Sequence, residues 1–173
     1  MQEISTAALL FRSPTCTPVD KMAATELAKI AEIDMDRYAA DMFSAGSNLR
    51  GKSNEEIFYQ DFKLFNSGKI SYGVGQISSL NADELTELKD RLLPFLKKPH
   101  EEHGVDMIFF MLTNILTEST SLLCEGEGAE DLIRLAFHME NASDDAEANV
   151  VELPGVVSRK KQLIPSIMIA SEA

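Results

Sequence analysis

Over the first third of the chain, apolar residues recur at helical spacing. Thr17 is placed to cap a helix that opens with Pro18 and carries Asp20 in its first turn, where a carboxylate suits the positive helix end. Leu27, Ile30 and Ala31 continue its stripe to Ile33. Asp34 then caps a second helix in which Met35, Tyr38, Ala39, Met42 and Phe43 share a face, and Gly46 ends it. A polar, glycine-bearing connector follows. Ser53 and Glu56 form a capping-box pair that leads a short helix toward Phe62.

Beyond residue 68 the period changes. Ile70, Tyr72, Val74, Gln76 and Ser78 alternate with Ser71, Gly73, Gly75, Ile77 and Ser79, which predicts a strand whose two glycines mark a close approach. Asn81 and Glu84 cap a long helix through Leu96, bent or broken at Pro94 and ended by Pro99. Residues 105–112, apolar but for Asp106, form a run suited to a strand buried on both faces. Residues 119–124 predict another strand, and Gly128 leads into a helix from Ala129 to about His138. After an acidic surface loop at 142–149, residues 150–153 and 162–169 read as the last two strands. Alternating strands and helices predict an α/β fold: a mixed β-sheet of about five strands flanked by helices, preceded by an N-terminal helical extension. The short connection between the last two strands is what makes the sheet mixed.

Length, 173 residues, allows one medium domain or a small domain with an extension, and the 45% hydrophobic and 25% charged content is that of a soluble globular protein. No stretch approaches the roughly 20 apolar residues of a membrane span, and no basic segment precedes the first apolar run. Cys16 and Cys124 are far apart with no CxxC spacing, which fits free thiols in a cytoplasmic protein.

Charge changes the picture most. Net charge is −12, yet Arg159, Lys160 and Lys161 are consecutive, and no acidic residue lies between Leu153 and Ser171. A cation cluster of this kind in an acidic chain suits a small, highly charged anion, because the remaining surface repels a long polyanion such as nucleic acid. The alternative is a solvated turn bearing lysines. Against it, Val156 and Val157 precede the cations and Leu163, Ile164 and Ile167 follow, so both flanks are suited to a core.

Other candidate chemistry falls away. His100 and His103 are spaced i, i+3 after Pro99, unlike the i, i+4 pair of a zincin helix, and read as a solvated helix end. His138 suits the negative pole of its helix. Gly73-Val74-Gly75 is too short for a phosphate-cradling loop, and no nucleophile triad motif is present. The sequence therefore offers no catalytic residue and no metal ligand.

Four segments, in order, carry a resemblance: Leu9-Leu10-Phe11-Arg12-Ser13-Pro14-Thr15-Cys16-Thr17, Asp61-Phe62-Lys63-Leu64-Phe65, Gly75-Gln76-Ile77, and Leu153-Pro154-Gly155-Val156-Val157-Ser158-Arg159-Lys160-Lys161-Gln162. Together they resemble the C-terminal part of the manganese-dependent (family II) inorganic pyrophosphatases of the DHH phosphoesterase superfamily. The last segment is similar to that family's SRKKQ signature almost letter for letter, and Gly75-Gln76-Ile77 matches its first C-terminal strand.

The resemblance implies that Lys63, Arg159 and Lys160 hold the phosphate oxygens of pyrophosphate, with Ser158 and Lys161 in support. An arginine fork grips two oxygens of one phosphoryl group, and lysines act as movable point charges. It also implies cofactors (Mn²⁺, or Co²⁺ or Mg²⁺) for the intact enzyme, held by His and Asp side chains of an N-terminal lobe. That machinery is not in this sequence: no Asp-His-His motif occurs, and Ala7 stands where the family's last metal-ligand Asp is expected. Residues 1–46 then read as closing helices of the missing N-terminal lobe, 47–53 as a linker, and 54–173 as the substrate-binding domain. The exposed faces of the first helices are expected to fold back, to pair in a homodimer, or to stay mobile. On this reading the chain is the substrate-binding part of a cytoplasmic pyrophosphatase and is inactive alone. A non-catalytic anion-binding module, or a DHH lobe for short polyphosphates, is the alternative.

Overall fold

The computed structural model describes residues 17–31, 34, 37, 49, 51–139 and 147–172. The helix expected over 34–46, apart from Asp34 and Arg37, the segment ending at Cys16 and most of the acidic loop lie outside the described residues; Asp34 Oδ1 accepts from Arg37 N at 3.1 Å, as a cap would.

Helix α1, Pro18–Ile30, opens as expected: Thr17 and Asp20 form a reciprocal capping box. It buries none of its residues, and Val19, Met22, Leu27 and Ile30 stay exposed. A short helix α2, Asn54–Phe58, with Ser53 and Glu56 as its capping box, runs through one tight turn into strand β1, Phe62–Ser67. The chain reverses at Gly68 and Lys69 into β2, Ile70–Ser79. Helices α3, Ala82–Leu92, and α4, Lys97–His103, cross to β3, Met107–Asn114. Then come β4, Ser119–Glu125, helix α5, Ala129–Ala136, and β5, Val150–Pro154. A wide π-helical turn, Arg159–Leu163, leads into α6, Ile164–Glu172.

The sheet runs β1-β2-β3-β4-β5, with β2 and β3 parallel and every other neighbour antiparallel. Side-chain alternation divides the core between its two faces. Tyr72, Val74, Phe109, Met111, Leu122 and Cys124 pack on one face against Ile133 of α5 and Leu163, Ile164 and Ile167. Ile108, Phe110, Leu112 and Leu123 pack on the other against Ile57, Phe58, Leu85, Leu88, Leu92 and Leu96. The apolar run after residue 105 is accordingly the central strand, buried on both faces.

The mixed five-stranded sheet stands, but its membership differs from the expectation at both ends. Residues 162–169 are not a strand. They complete the turn and form most of α6. A continuous apolar run has no period to separate strand from buried helix. Here the burial of Leu163, Ile164 and Ile167 shows the helical face, while Met168 and Ile169 point outward. Pro165 sits in the first turn of α6, directly after the π-helical turn, where its fixed φ suits a helix, whereas inside a paired strand it would remove a ladder bond. Conversely, the sequence pattern predicts a short helix toward Phe62 and no strand over β1. Lys63, Leu64 and Asn66 are exposed on this edge strand, so it lacks a clean alternation. Gly75 consequently lies in the second strand, and the sheet is mixed because of the α3–α4 crossover. The long helix also stops earlier than expected, at Leu92, and Pro99 falls in the first turn of α4, where the backbone donors lack intrahelical partners anyway.

Candidate anion-binding site

The site is built where the chain leaves β5. Gly155 donates its N–H to Glu118 O at 2.8 Å, and the buried Thr120 hydroxyl donates to Val156 O at 2.6 Å. The Thr113 hydroxyl lies 2.9 Å from that of Thr120, so a pair of buried hydroxyls anchors the start of the cationic segment. Thr120→Val leaves a buried carbonyl without its donor and is expected to cost about 1–3 kcal/mol. A urea midpoint unchanged from wild type would remove Thr120 from this account.

Ser158 caps the following turn. Its backbone is extended, its Oγ accepts from Lys161 N at 3.3 Å, and its carbonyl accepts from both Gln162 N and Leu163 N. The bond from Leu163 spans five residues and widens the turn, a feature that recurs at functional sites. Gln162 staples the loop from inside: its Oε1 accepts from Val157 N and Ser158 N at 2.9 and 3.0 Å, and its Nε2 donates to Gly155 O at 2.7 Å. Behind the turn, buried Leu163 and Ile164 hold it on the sheet.

Arg159 points inward. Its Nη1 donates to Asp61 O at 2.8 Å and to Val74 O at 3.1 Å, and its Nη2 donates to Asp61 Oδ1 at 2.7 Å. Its side chain is 10% exposed and that of Asp61 48%. Sequence neighbours leave this cation unneutralised, as expected, but a carboxylate 98 residues away does not. The contact brings the end of the chain onto the start of β1. There Lys63 is the cross-strand partner of Val74, the same residue whose carbonyl Arg159 grips. Partners in register share a sheet face, so Lys63 lies on the face that carries α6. Lys63, Lys160 and Lys161 are exposed, and Ser158 is half-buried. Among the described residues, neither Lys63 nor Lys160 makes a salt bridge.

The remaining candidate chemistry is accounted for locally. His103 Nε2 lies 3.0 Å from the Tyr59 hydroxyl, and His100 Nε2 lies 3.1 Å from Asp106 O. Cys124 is buried, and desolvation pushes its thiol well up from its ordinary range, which keeps it protonated and unreactive. A groove on the opposite face, beneath α3, sets Lys89 against Glu152 and has no cationic bias. Two residues of the site escaped a role in the sequence reading. Asp61 and Gln162 both stand inside the quoted segments, but nothing in their spacing shows which donor each one meets.

The description "DHHA2 domain" matches residues 40–170. The chain belongs to the DHHA2 domain family. This DHHA2 domain is 40% identical over 164 residues to a protein of Clostridium acetobutylicum named "Probable manganese-dependent inorganic pyrophosphatase", covering 95% of this chain and 51% of that one. It is 39% identical over 159 residues to the "Cobalt-dependent inorganic pyrophosphatase" of Clostridium perfringens, covering 92% of this chain and 28% of that one. The solved structure described as "Crystal structure of Methanococcus jannaschii putative family II inorganic pyrophosphatase" superposes with a TM-score of 0.81 at 31% identity, over 97% of this chain and 53% of that one. The domain thus spans about half the length of the first of these relatives. Among its described residues, no group of three or more His, Cys, Asp or Glu side chains is placed to hold a metal ion. No described helix is long and apolar enough to cross a membrane.

Proposed function

We propose that this DHHA2 domain is the substrate-binding, C-terminal part of a manganese-dependent inorganic pyrophosphatase, an enzyme that cleaves pyrophosphate to two phosphates. The observation that carries the reading is the convergence of Arg159 and the Asp61–Lys63 stretch, two segments far apart in sequence, at one cation-lined edge of an acidic domain. Lys63 and Lys160 supply mobile point charges to the phosphoryl oxygens, Arg159 supplies a planar fork, and Ser158 and Lys161 hold the shape of the turn. Such cations stabilise pyrophosphate and, more strongly, the charge that spreads over equatorial and leaving oxygens as the bond breaks. Nothing in the described residues activates water. That step belongs to a metal-bearing partner lobe, with Mn²⁺, Co²⁺ or Mg²⁺, and to an intact cytoplasmic enzyme.

Calorimetric titration of the chain with pyrophosphate tests the reading. Saturable binding that weakens with rising salt is expected, together with no phosphate release when Mn²⁺ is added. Absence of binding at low salt would overturn it. Binding of orthophosphate or short polyphosphate as tight as that of pyrophosphate would favour a general anion-binding module.

A further inference from the structure

Arg159 has five N–H donors, and its contacts engage three of them in one particular arrangement. Both Nη1 hydrogens are used, one on Asp61 O and one on Val74 O, and one Nη2 hydrogen meets Asp61 Oδ1. Because Nη1 and Nη2 both bond to Asp61, the end of the guanidinium faces that residue. The donors left over are Nε–H and the second Nη2 hydrogen. These lie side by side on the lateral edge of the group, spaced for two oxygens of one phosphoryl group. Among the described residues no acceptor takes either of them.

We propose that Asp61 is a positioning residue: it clamps the end of the Arg159 guanidinium so that the lateral fork is presented, already oriented, to the pyrophosphate anion. The proposal rests on the anion-binding reading above and gives Asp61 a role that its charge alone argues against. A carboxylate within 2.7 Å of the arginine repels a phosphate electrostatically. If Asp61 merely occupied the cation, its removal would free Arg159 and tighten binding. A clamp has the opposite sign. An unheld arginine must surrender rotamer freedom when it meets the ligand, and holding it beforehand removes that penalty. The backbone contributes to the clamp as well, since two of its three bonds end on the carbonyls of Asp61 and Val74, so the orientation is tied to the β1–β2 pair itself.

The test is pyrophosphate titration of the full chain and of Asp61→Asn, followed by calorimetry and by the NMR signals of the Arg159 Nε–H and Nη–H groups. Asparagine keeps the shape and the acceptor oxygen at a half-exposed position, and unchanged core amide signals establish that the variant is folded. In the wild type, separate Nη–H signals, the mark of a guanidinium held at its end, are expected. Pyrophosphate should shift Nε–H and leave the Asp61-bonded signal in place. In Asp61→Asn, whose amide oxygen is a weaker, uncharged acceptor, the Nη2–H signal should shift and broaden and the affinity should fall about threefold, because the side-chain bond is weakened while the two carbonyl bonds persist; Asp61→Glu should recover part of the loss. Affinity that is unchanged or tighter in Asp61→Asn would overturn the clamp while leaving the anion-binding reading intact. A wild-type chain that binds no pyrophosphate, with its Nη–H signals still resolved, would overturn that reading instead.

Discussion

Gly75→Val is expected to be the most damaging single substitution in the sheet, lowering stability by about 3 kcal/mol or more and the melting temperature by roughly 6–12 °C. A Cβ built on Gly75 falls 2.4 Å from Cδ2 and 2.5 Å from Cε2 of Phe110. Phe110 is fully buried in the central strand and cannot swing away. Its ring stacks on Phe58 at 5.5 Å, and Phe58 is itself packed against Phe62 at 4.8 Å and Phe95 at 5.7 Å. Gly73 presents the contrasting case. A Cβ there meets the tip of the half-buried Phe62 ring at 2.4 Å and the end of the buried Ile108 side chain at 2.9 Å, so Gly73→Ala costs less, because that ring can shift toward solvent and the Ile108 tip is the far end of a flexible chain. Since β1 pairs with β2 through Phe62↔Gly75 and Lys63↔Val74, a displaced aromatic cluster also moves Lys63. Thermal melting of Gly75→Val, Gly75→Ala and Gly73→Ala gives the ranking. Equal melting temperatures for the first and last would contradict the packing described here.

Arg159→Ala is expected to cost about 2–4 kcal/mol of stability in addition to any effect on binding. The substitution removes three hydrogen bonds from a charged donor and leaves Asp61 and Val74 without them. Asp61 is half-exposed and recovers water, which keeps the loss below that of a fully buried pair. Arg159→Lys retains the charge but reaches fewer of the three acceptors, so an intermediate loss is expected, read from urea midpoints. A change under about 0.5 kcal/mol for Arg159→Ala, typical of exposed ion pairs, would mean that the guanidinium is not structural. The result matters for binding measurements. An alanine at this position removes the proposed phosphate contact and loosens the β1–β2 edge together, so its titration is informative only well below its melting temperature and beside Arg159→Lys.

The two halves of the site were unequally legible. The consecutive cations at 159–161 stand out in an acidic chain, whereas Lys63 is singled out only by the family resemblance; the capping box at Ser53–Glu56 forms as its spacing predicts, and Thr17 caps its helix. What misled was the apolar run after Gln162. A nearly continuous apolar run carries no period that separates strand from helix, and only Pro165 hinted at the answer. Strand β1 was hidden for the converse reason, since an edge strand with exposed lysine, leucine and asparagine has no alternating face to advertise itself.

By itself, then, the sequence determined the α/β class, the central buried strand, the tight contact at Gly73 and Gly75, and the cation cluster at 159–161. Each of these follows from local pattern and from the chemistry of single side chains. Only the tertiary structure decided which strands sit at the sheet edge, that residues 162–169 turn into a helix, and that Arg159 faces Asp61. The physical reason is distance along the chain. Backbone and side-chain preferences act over a few residues, whereas the partner that orients this guanidinium is brought to it from 98 residues away by the pairing and packing of the whole sheet.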